Sequence, residues 1–219
     1  MTRSQSSSRV SNFSKLAIVL VATLLSAPGC TSQKDVSAAD AGRRADIYDV
    51  YSAMFANPDP GDRVYFIDAK TNRIQLDPPS TPAIPSSFDS EECFAIPPTH
   101  RVAWNEIRAE TNARKNSPGT LERELKIKTP YVILTAADLR EVGDAIGKGI
   151  RPQNPKFQGG TTLITLGDVY FNQKRTLALT SFSSICGSLC GSSAKDVYEK
   201  GADGKWQSRP DWVTCHWVS

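Results

Sequence analysis

The last third of the chain alternates between apolar and polar residues, and this alternation limits the possible folds more than any other feature. From residue 161 onward, segments rich in Thr, Val, Ile, Tyr and Trp are separated by turn residues, as in TTLITLGDVYF, TLALTSFSSI, KDVYEK, KWQS and WVTCHWV. A period of two places successive side chains on opposite faces of a strand. The pattern therefore predicts an antiparallel C-terminal β-meander.

Earlier segments carry the period of amphipathic helices instead. Residues 43–58 repeat apolar side chains at helical spacing, on a face formed by Ile47, Val50, Tyr51, Met54 and Phe55. Residues 101–116 predict a second helix, for which Thr99 is the expected N-cap. Residues 136–143 predict a short third helix directly after a buried strand, YVILT, at 131–135.

The remaining segments complete the expected domain. Residues 62–70 read as a strand, and residues 71–76 as its hairpin partner or a short continuation. A proline-rich loop over 77–98 follows, and Cys93 lies within it. We expect a single α+β domain over 43–219, with the C-terminal meander packed on one face against two or three helices.

The N-terminus has the pattern of an export signal. Three basic residues precede the apolar run LAIVLVATLLSA at 16–27, and no acidic residue occurs before Asp35. A run of about 12 residues is short of the ~20 needed to cross a bilayer, and this pattern is typical of a secretory signal peptide. Residues 1–29 are therefore predicted to be removed, and the small polar residues 30–42 to form a flexible tether.

The sequence LSAPGC at 25–30 resembles a bacterial lipoprotein signal, in which Cys30 is acylated and becomes the mature N-terminus. Ala27-Pro28-Gly29 also fits an ordinary cleavage site for small residues. The chain has five cysteines, so lipidation of Cys30 leaves four that can pair fully. We therefore expect an exported protein of the cell envelope, anchored by its N-terminal lipid (a palmitate-bearing lipoprotein) to a membrane facing the periplasm.

Charge excludes one class of partner. The formal net charge is +3, and residues 1–30 hold three of the 26 Lys and Arg but none of the 23 Asp and Glu. The mature part therefore has 23 basic and 23 acidic residues, and it lacks the basic surface of a nucleic-acid-binding protein. The predicted partners are a membrane, through the lipid, and an unidentified protein or small molecule.

The four remaining cysteines predict a disulfide framework. Oxidising compartments favour disulfides, and Gly187 and Gly191 allow the tight turn that a Cys186–Cys190 bridge needs. Cys93 is then left to pair with Cys215. Two alternatives stay open. One is a redox pair, although CxxxC differs from the CxxC of thiol oxidoreductases. The other is a zinc site formed by Cys186, Cys190, Cys215 and His216, with Cys93 as a further candidate ligand. Against it, Cys215 and His216 are adjacent and point to opposite faces of a strand.

A C-terminal pattern resembles a group of exported bacterial lipoproteins without an established activity. The pattern covers roughly residues 101–219 and is carried by Phe171, Asn172, Thr176, Ala178, Leu179, the segment CGSLCG at 186–191 and DGKW at 203–206. The resemblance implies the α+β fold and export to the envelope. It implies no catalytic residues.

Several common catalytic motifs are absent from the sequence. There is no nucleophile elbow, no zinc-protease motif and no glycine-rich phosphate loop. Asp138, Glu141 and Asp144 follow helical spacing as any solvated face does, and Trp206, Trp212 and Trp217 are expected in the core. We predict no metal or cofactor and a non-enzymatic binding or scaffolding module. The alternative is an envelope hydrolase that uses His100 or His216 with nearby carboxylates.

Overall fold

Eight strands in the described part of the chain form one mixed sheet, and the segments with a period of two contribute six of them. The computed structural model describes residues 38–56, 64–74, 93–114, 119–122, 125–214 and 216–218. In chain order the elements are α1 (Ala38–Met54), β1 (Tyr65–Asp68), α2 (Arg101–Ala113), β2 (Tyr131–Leu134), α3 (Ala136–Gly147), β3 (Thr162–Leu166), β4 (Tyr170–Phe171), β5 (Leu177–Gly187), β6 (Cys190–Lys200), β7 (Trp206–Ser208) and β8 (His216–Val218).

The C-terminal meander is confirmed. Strands β3, β5, β6 and β7 lie side by side and antiparallel, the short β4 pairs with β5, and β8 pairs with β6. The β5–β6 hairpin is its longest part, with 11 residues in each strand. The two cysteines therefore do not lie in a separate loop. Cys186 belongs to β5 and Cys190 to β6, and a two-residue turn joins these strands.

The first strand does not pair as the sequence predicts. Strand β1 lies between β2 and β3 and is parallel to both. Residues 71–74 form no hairpin with it, and Asn72 instead makes a single parallel bridge to Gly167. Parallel neighbours require crossover connections, which here contain α2 and α3. The hairpin alternative was wrong, because the strands that pair with β1 come from more than 60 residues away. The parallel bridge of Asn72 agrees with the other alternative, a short continuation along the sheet.

The helices cover both faces of the sheet. Tyr65 and Ile67 of β1 pack in one cluster with Tyr51 of α1, whereas Phe66 packs in another with Val142 of α3. The same alternation in β5 sends Ala178 toward α1, and sends Leu177 and Leu179 toward Trp104 and Ile107 of α2. The α+β class is confirmed, but the expectation that all helices lie on one face was wrong.

Two helix starts differ from the predictions. α1 begins at Ala38, inside the predicted tether, because Ala38, Ala39 and Ala41 favour helix. Thr99 does not cap α2, since Pro98–His100 forms a 3₁₀ turn that runs directly into the helix and His100 occupies the N-cap position without a side-chain hydrogen bond. Among the described residues, no helix has the length and apolarity that crossing a membrane requires.

Candidate functional site

The predicted cysteine pair closes the far end of the β5–β6 hairpin. Cys186 and Cys190 form a disulfide, with their Cα atoms 5.1 Å apart. The turn presents Leu189, which is 88% exposed. Cys93 is buried and disulfide-bonded, and its carbonyl accepts a hydrogen bond of 2.9 Å from the N–H of Thr214. Cys30 and Cys215 lie outside the described residues, so lipidation and the Cys93–Cys215 pairing stay predictions.

His100 is held in a surface cluster. Its Nε2 lies 2.9 Å from Oε1 of Glu199, and its Nδ1 lies 3.0 Å from the hydroxyl of Thr99. Arg209 pairs with both Glu199 and Asp211, and hydrogen bonds from this guanidinium lower the pKa of Asp211. Both ring nitrogens are thus engaged, and His100 lines neither of the two cavities described below.

The other candidate residues from the sequence analysis do not come together at one site. Asp138 belongs to the N-terminal capping box of α3, while Glu141 and Asp144 are exposed. Trp206 and Trp212 are buried, as predicted, in two different clusters. For His216 and Trp217 the backbone of β8 is described but not the side chains. Within the described segments, no group of His, Cys, Asp and Glu could hold a metal ion.

A network of charged side chains instead joins α1, α2 and the segment between β3 and β4. Arg43 of α1 forms an ion pair with Glu110 of α2, and Glu110 also accepts a hydrogen bond from the backbone N–H of Phe171. Nη1 of Arg114 lies 3.6 Å from Oε1 of Glu110, and Nη2 of the same guanidinium lies 3.9 Å from Oδ2 of Asp168. Both arginines donate to the carbonyl of Val169, so the charges hold this segment in place.

Asp168 anchors the buried end of this network. Its carboxylate is 3% exposed and accepts hydrogen bonds from the hydroxyl of Thr71 and the N–H of Gly119. Burial first, and then the nearby Asp168 carboxylate, raises the pKa of Tyr51 far above its ordinary value. The Tyr51 phenol therefore stays protonated and donates to the carbonyl of Gly167 over 2.8 Å.

The outer end of the network opens into a groove between α1 and α2. The groove has a volume of about 940 Å³, and Phe171 is one of the residues that line it. Its other lining residues are Ala39, Asp40, Arg43, Val102, Asn105, Glu106, Ala109, Glu110, Ala113, Asn172, Gln173 and Arg175. Small or apolar side chains therefore alternate with polar ones along α2, and Val102 is 74% exposed.

The charges in this groove already have protein partners. Arg43 forms an ion pair with Glu110. Nε of Arg175 lies 3.4 Å from Oδ2 of Asp46. The Glu106 carboxylate accepts a hydrogen bond of 2.9 Å from the backbone N–H of Gln173. What the groove leaves available are alanine and valine surfaces and two exposed carboxamides, those of Asn105 and Gln173.

Sequence reasoning missed these residues because they are far apart in the chain. Arg43 and Glu110 are 67 positions apart, and nothing in their local sequence connects them. The spacing of four between Glu110 and Arg114 is the one visible hint, since such residues are neighbours on a helix surface. No family model, curated protein or solved structure matches this chain.

Proposed function

We propose that this protein is a lipid-anchored binding module of the bacterial envelope, and that the groove between α1 and α2 receives an extended peptide segment of a partner protein. The observation that carries the proposal is the groove itself. Its volume of about 940 Å³ lies within the range of about 300–1,000 Å³ that is usual for ligand sites.

The dimensions of the groove suit a peptide. Along α2 it extends from Val102 to Ala113, which is about 17 Å at 1.5 Å per helical residue. An extended peptide of about five residues has the same length. Ala39, Ala109 and Ala113 have short side chains that let a peptide backbone come close to the helices.

The chemistry of the groove also suits a peptide. The carboxamides of Asn105 and Gln173 each offer a donor and an acceptor, which are the groups that a peptide backbone needs. Because the charged side chains neutralise one another, an uncharged segment loses little by entering. Val102, which is 74% exposed, offers apolar surface for one side chain of such a segment.

Filling the groove tests the proposal. A library of random unstructured peptides displayed on phage is selected against the purified full chain. Ala109→Trp places an indole in the groove from an exposed helix position. We expect this substitution to weaken the selected peptides at least about tenfold, because it removes the space for their backbone and about 1.4 kcal/mol corresponds to that factor.

Ala137→Trp is the matched control, because Ala137 is also exposed on a helix but lies on α3, outside the groove. The selected peptides should bind this variant as they bind the parent protein. Failure to enrich any peptide over an uncoated surface contradicts the proposal. So does equal binding to the two tryptophan variants.

A further inference from the structure

A second cavity lies on the face of the sheet that α2 and α3 cover. It encloses about 180 Å³ and shares no residue with the groove between α1 and α2. The sheet forms one wall, and residues 72–74 with Cys93 and Val213 form the others. Because Thr165, Ser181, Ser183, Ser193 and Lys195 are all half-buried, the cavity is open to solutes from outside.

Strand register brings polar side chains together here. Thr165, Ser183 and Ser193 are directly opposite one another on β3, β5 and β6 and form one row across the sheet. Ser181 and Lys195 form the next row. Residues that pair across strands and share a face lie about 4.5–5.5 Å apart at Cβ. Five polar side chains therefore converge on a small area.

The neighbouring rows on the same face are apolar. Leu163 pairs with Ile185 on one side of the polar rows, and Leu179 pairs with Val197 on the other. Leu163 packs in the cluster of α3, whereas Leu179 and Val197 pack in the cluster of α2. The polar rows thus interrupt the core between the two helices, at the position of the cavity.

The four hydroxyls of this cavity have no hydrogen-bond partner within the described part of the chain. They belong to Thr165, Ser181, Ser183 and Ser193. The opposite face of the same hairpin differs, because there Ser184 and Ser192 bond each other over 2.8 Å. Hydroxyls without a partner among the described residues can donate to a bound molecule.

The charged residues of the cavity have one sign. Lys195 and Arg73 line it, together with the carboxamide of Asn72, and the described lining residues include no Asp or Glu. We propose that this cavity is a binding site for a small oxyanion, such as phosphate or a carboxylate, either free or as the end group of a larger molecule. Arg73 supplies the charge, and the hydroxyl rows supply directed donors.

The volume fits this ligand class. A water molecule takes up about 30 Å³ in the liquid, so about 180 Å³ has room for the five heavy atoms of a phosphate together with one or two waters. An elongated ligand would have to leave its remainder outside the cavity. The site therefore selects by the charged end of the ligand rather than by its whole shape.

Titration of the full chain with inorganic phosphate tests the proposal. Backbone N–H signals of residues 181–183 and 193–195 are followed by NMR in mild detergent, and calorimetry gives the affinity. We expect saturable binding with a Kd of about 1 mM or tighter. Arg73→Gln should weaken it at least about tenfold, because a hydrogen bond to a charged group is lost. Arg73 is exposed, so this variant should fold normally.

Ser183→Ala and Ser184→Ala form a matched pair, since adjacent residues of a strand point to opposite faces. Ser183→Ala should weaken phosphate binding a few-fold, whereas Ser184→Ala should leave it unchanged. Acetate in a parallel titration distinguishes a planar carboxylate from a tetrahedral phosphate as the preferred ligand. Binding of either one supports the site.

Three results would overturn the proposal. The first is the absence of saturation by both phosphate and acetate at ten times the expected Kd. The second is an equal response to chloride at matched ionic strength, which would indicate general screening. The third is phosphate binding that Arg73→Gln and Ser183→Ala both leave unchanged. None of these results bears on peptide binding in the α1–α2 groove, so the two proposals fail separately.

Discussion

Gly167 lies against β5 so closely that a side chain cannot be added without a shift. A Cβ atom at this position would lie 2.2 Å from the hydroxyl oxygen and 2.9 Å from the backbone nitrogen of Ser181. The N–H of Gly167 donates to the carbonyl of Ser181 over 2.6 Å, and its carbonyl accepts from Tyr51 and Thr180. These contacts join β5 to the segment that carries Asp168.

Gly167→Ala should therefore lower the free energy of unfolding by about 2–3 kcal/mol, the upper range for overpacking a well-filled site. Gly147→Ala is the control, because no atom lies within 4 Å of its added Cβ and the residue ends α3. Alanine favours helix over glycine, so this variant should gain up to about 1 kcal/mol. Urea denaturation measures both, and a loss of similar size in the two variants would contradict the packing argument.

At the scale of elements, α3 begins with a reciprocal pair of hydrogen bonds. The Thr135 hydroxyl accepts the N–H of Asp138, and the Asp138 carboxylate accepts the N–H of Thr135. A hydrogen bond from Lys156 is the main cause that lowers the pKa of Asp138 from 3.8 to about 2, and Thr135 adds to it. The carboxylate thus also ties the start of α3 to the loop before β3.

This lowered pKa sets the direction of a pH effect. A carboxyl whose pKa is lower in the folded state stabilises the fold fully above pH ~4, and this contribution is lost as pH falls through about 2. We expect the stability difference between the parent protein and Asp138→Asn to shrink as pH falls from about 4 to about 2.

Denaturation at several pH values checks this prediction, together with an NMR titration of the Asp138 carboxyl. A titration midpoint near the ordinary value of 3.8 would show that the link to Lys156 does not form in solution. The Lys156→Met variant should move the midpoint toward that value, because it removes the largest cause of the shift.

At the scale of the whole molecule, the two predicted disulfides should differ in their effect on stability. In the chain-entropy account a bridge stabilises by restricting the unfolded chain, typically by about 2–4 kcal/mol and more for a longer loop. Cys186–Cys190 closes a very short loop, with a sequence separation of 4. A Cys93–Cys215 bridge closes more than a hundred residues, and it should contribute about 4–5 kcal/mol.

Cys93→Ser should therefore lower the melting temperature more than Cys190→Ser. The burial of Cys93 at 2% exposure adds to the difference, because the substitution also leaves a hydroxyl in the core. Thermal melting of both variants gives the comparison, and mass spectrometry of unreduced peptides identifies the pairs. Recovery of a peptide that joins Cys93 to any cysteine other than Cys215 would refute the connectivity.

The predicted lipidation also belongs to this scale, because a lipid on Cys30 would hold the folded domain at a membrane. We expect the mature chain to begin at an acylated Cys30 and to reside in the membrane fraction, because the apolar run ends in LSAPGC and five cysteines leave one over when the other four pair. Intact-mass measurement should show the added lipid, and Cys30→Ser should release the protein to the soluble fraction. An unmodified N-terminus in the soluble periplasm would exclude the anchor.

The sequence by itself determined those features that depend on near neighbours in the chain. The period of two after residue 161 sufficed for the meander, because alternation is a property of each strand alone. The spacing of four between Cys186 and Cys190, with a glycine after each, sufficed for the pair at the end of the hairpin. Likewise, the burial of Trp206 and Trp212 follows from their strand-like and turn context.

The tertiary structure alone decided how distant segments meet. It placed β1 between two parallel partners, α1 on the face opposite α2 and α3, and Arg43 beside Glu110. It also aligned Thr165, Ser183 and Ser193 into one row, which depends on the register of three strands. A local pattern states which residues share a face of one element. It cannot state which element will cover that face, because that choice depends on the packing of the whole chain.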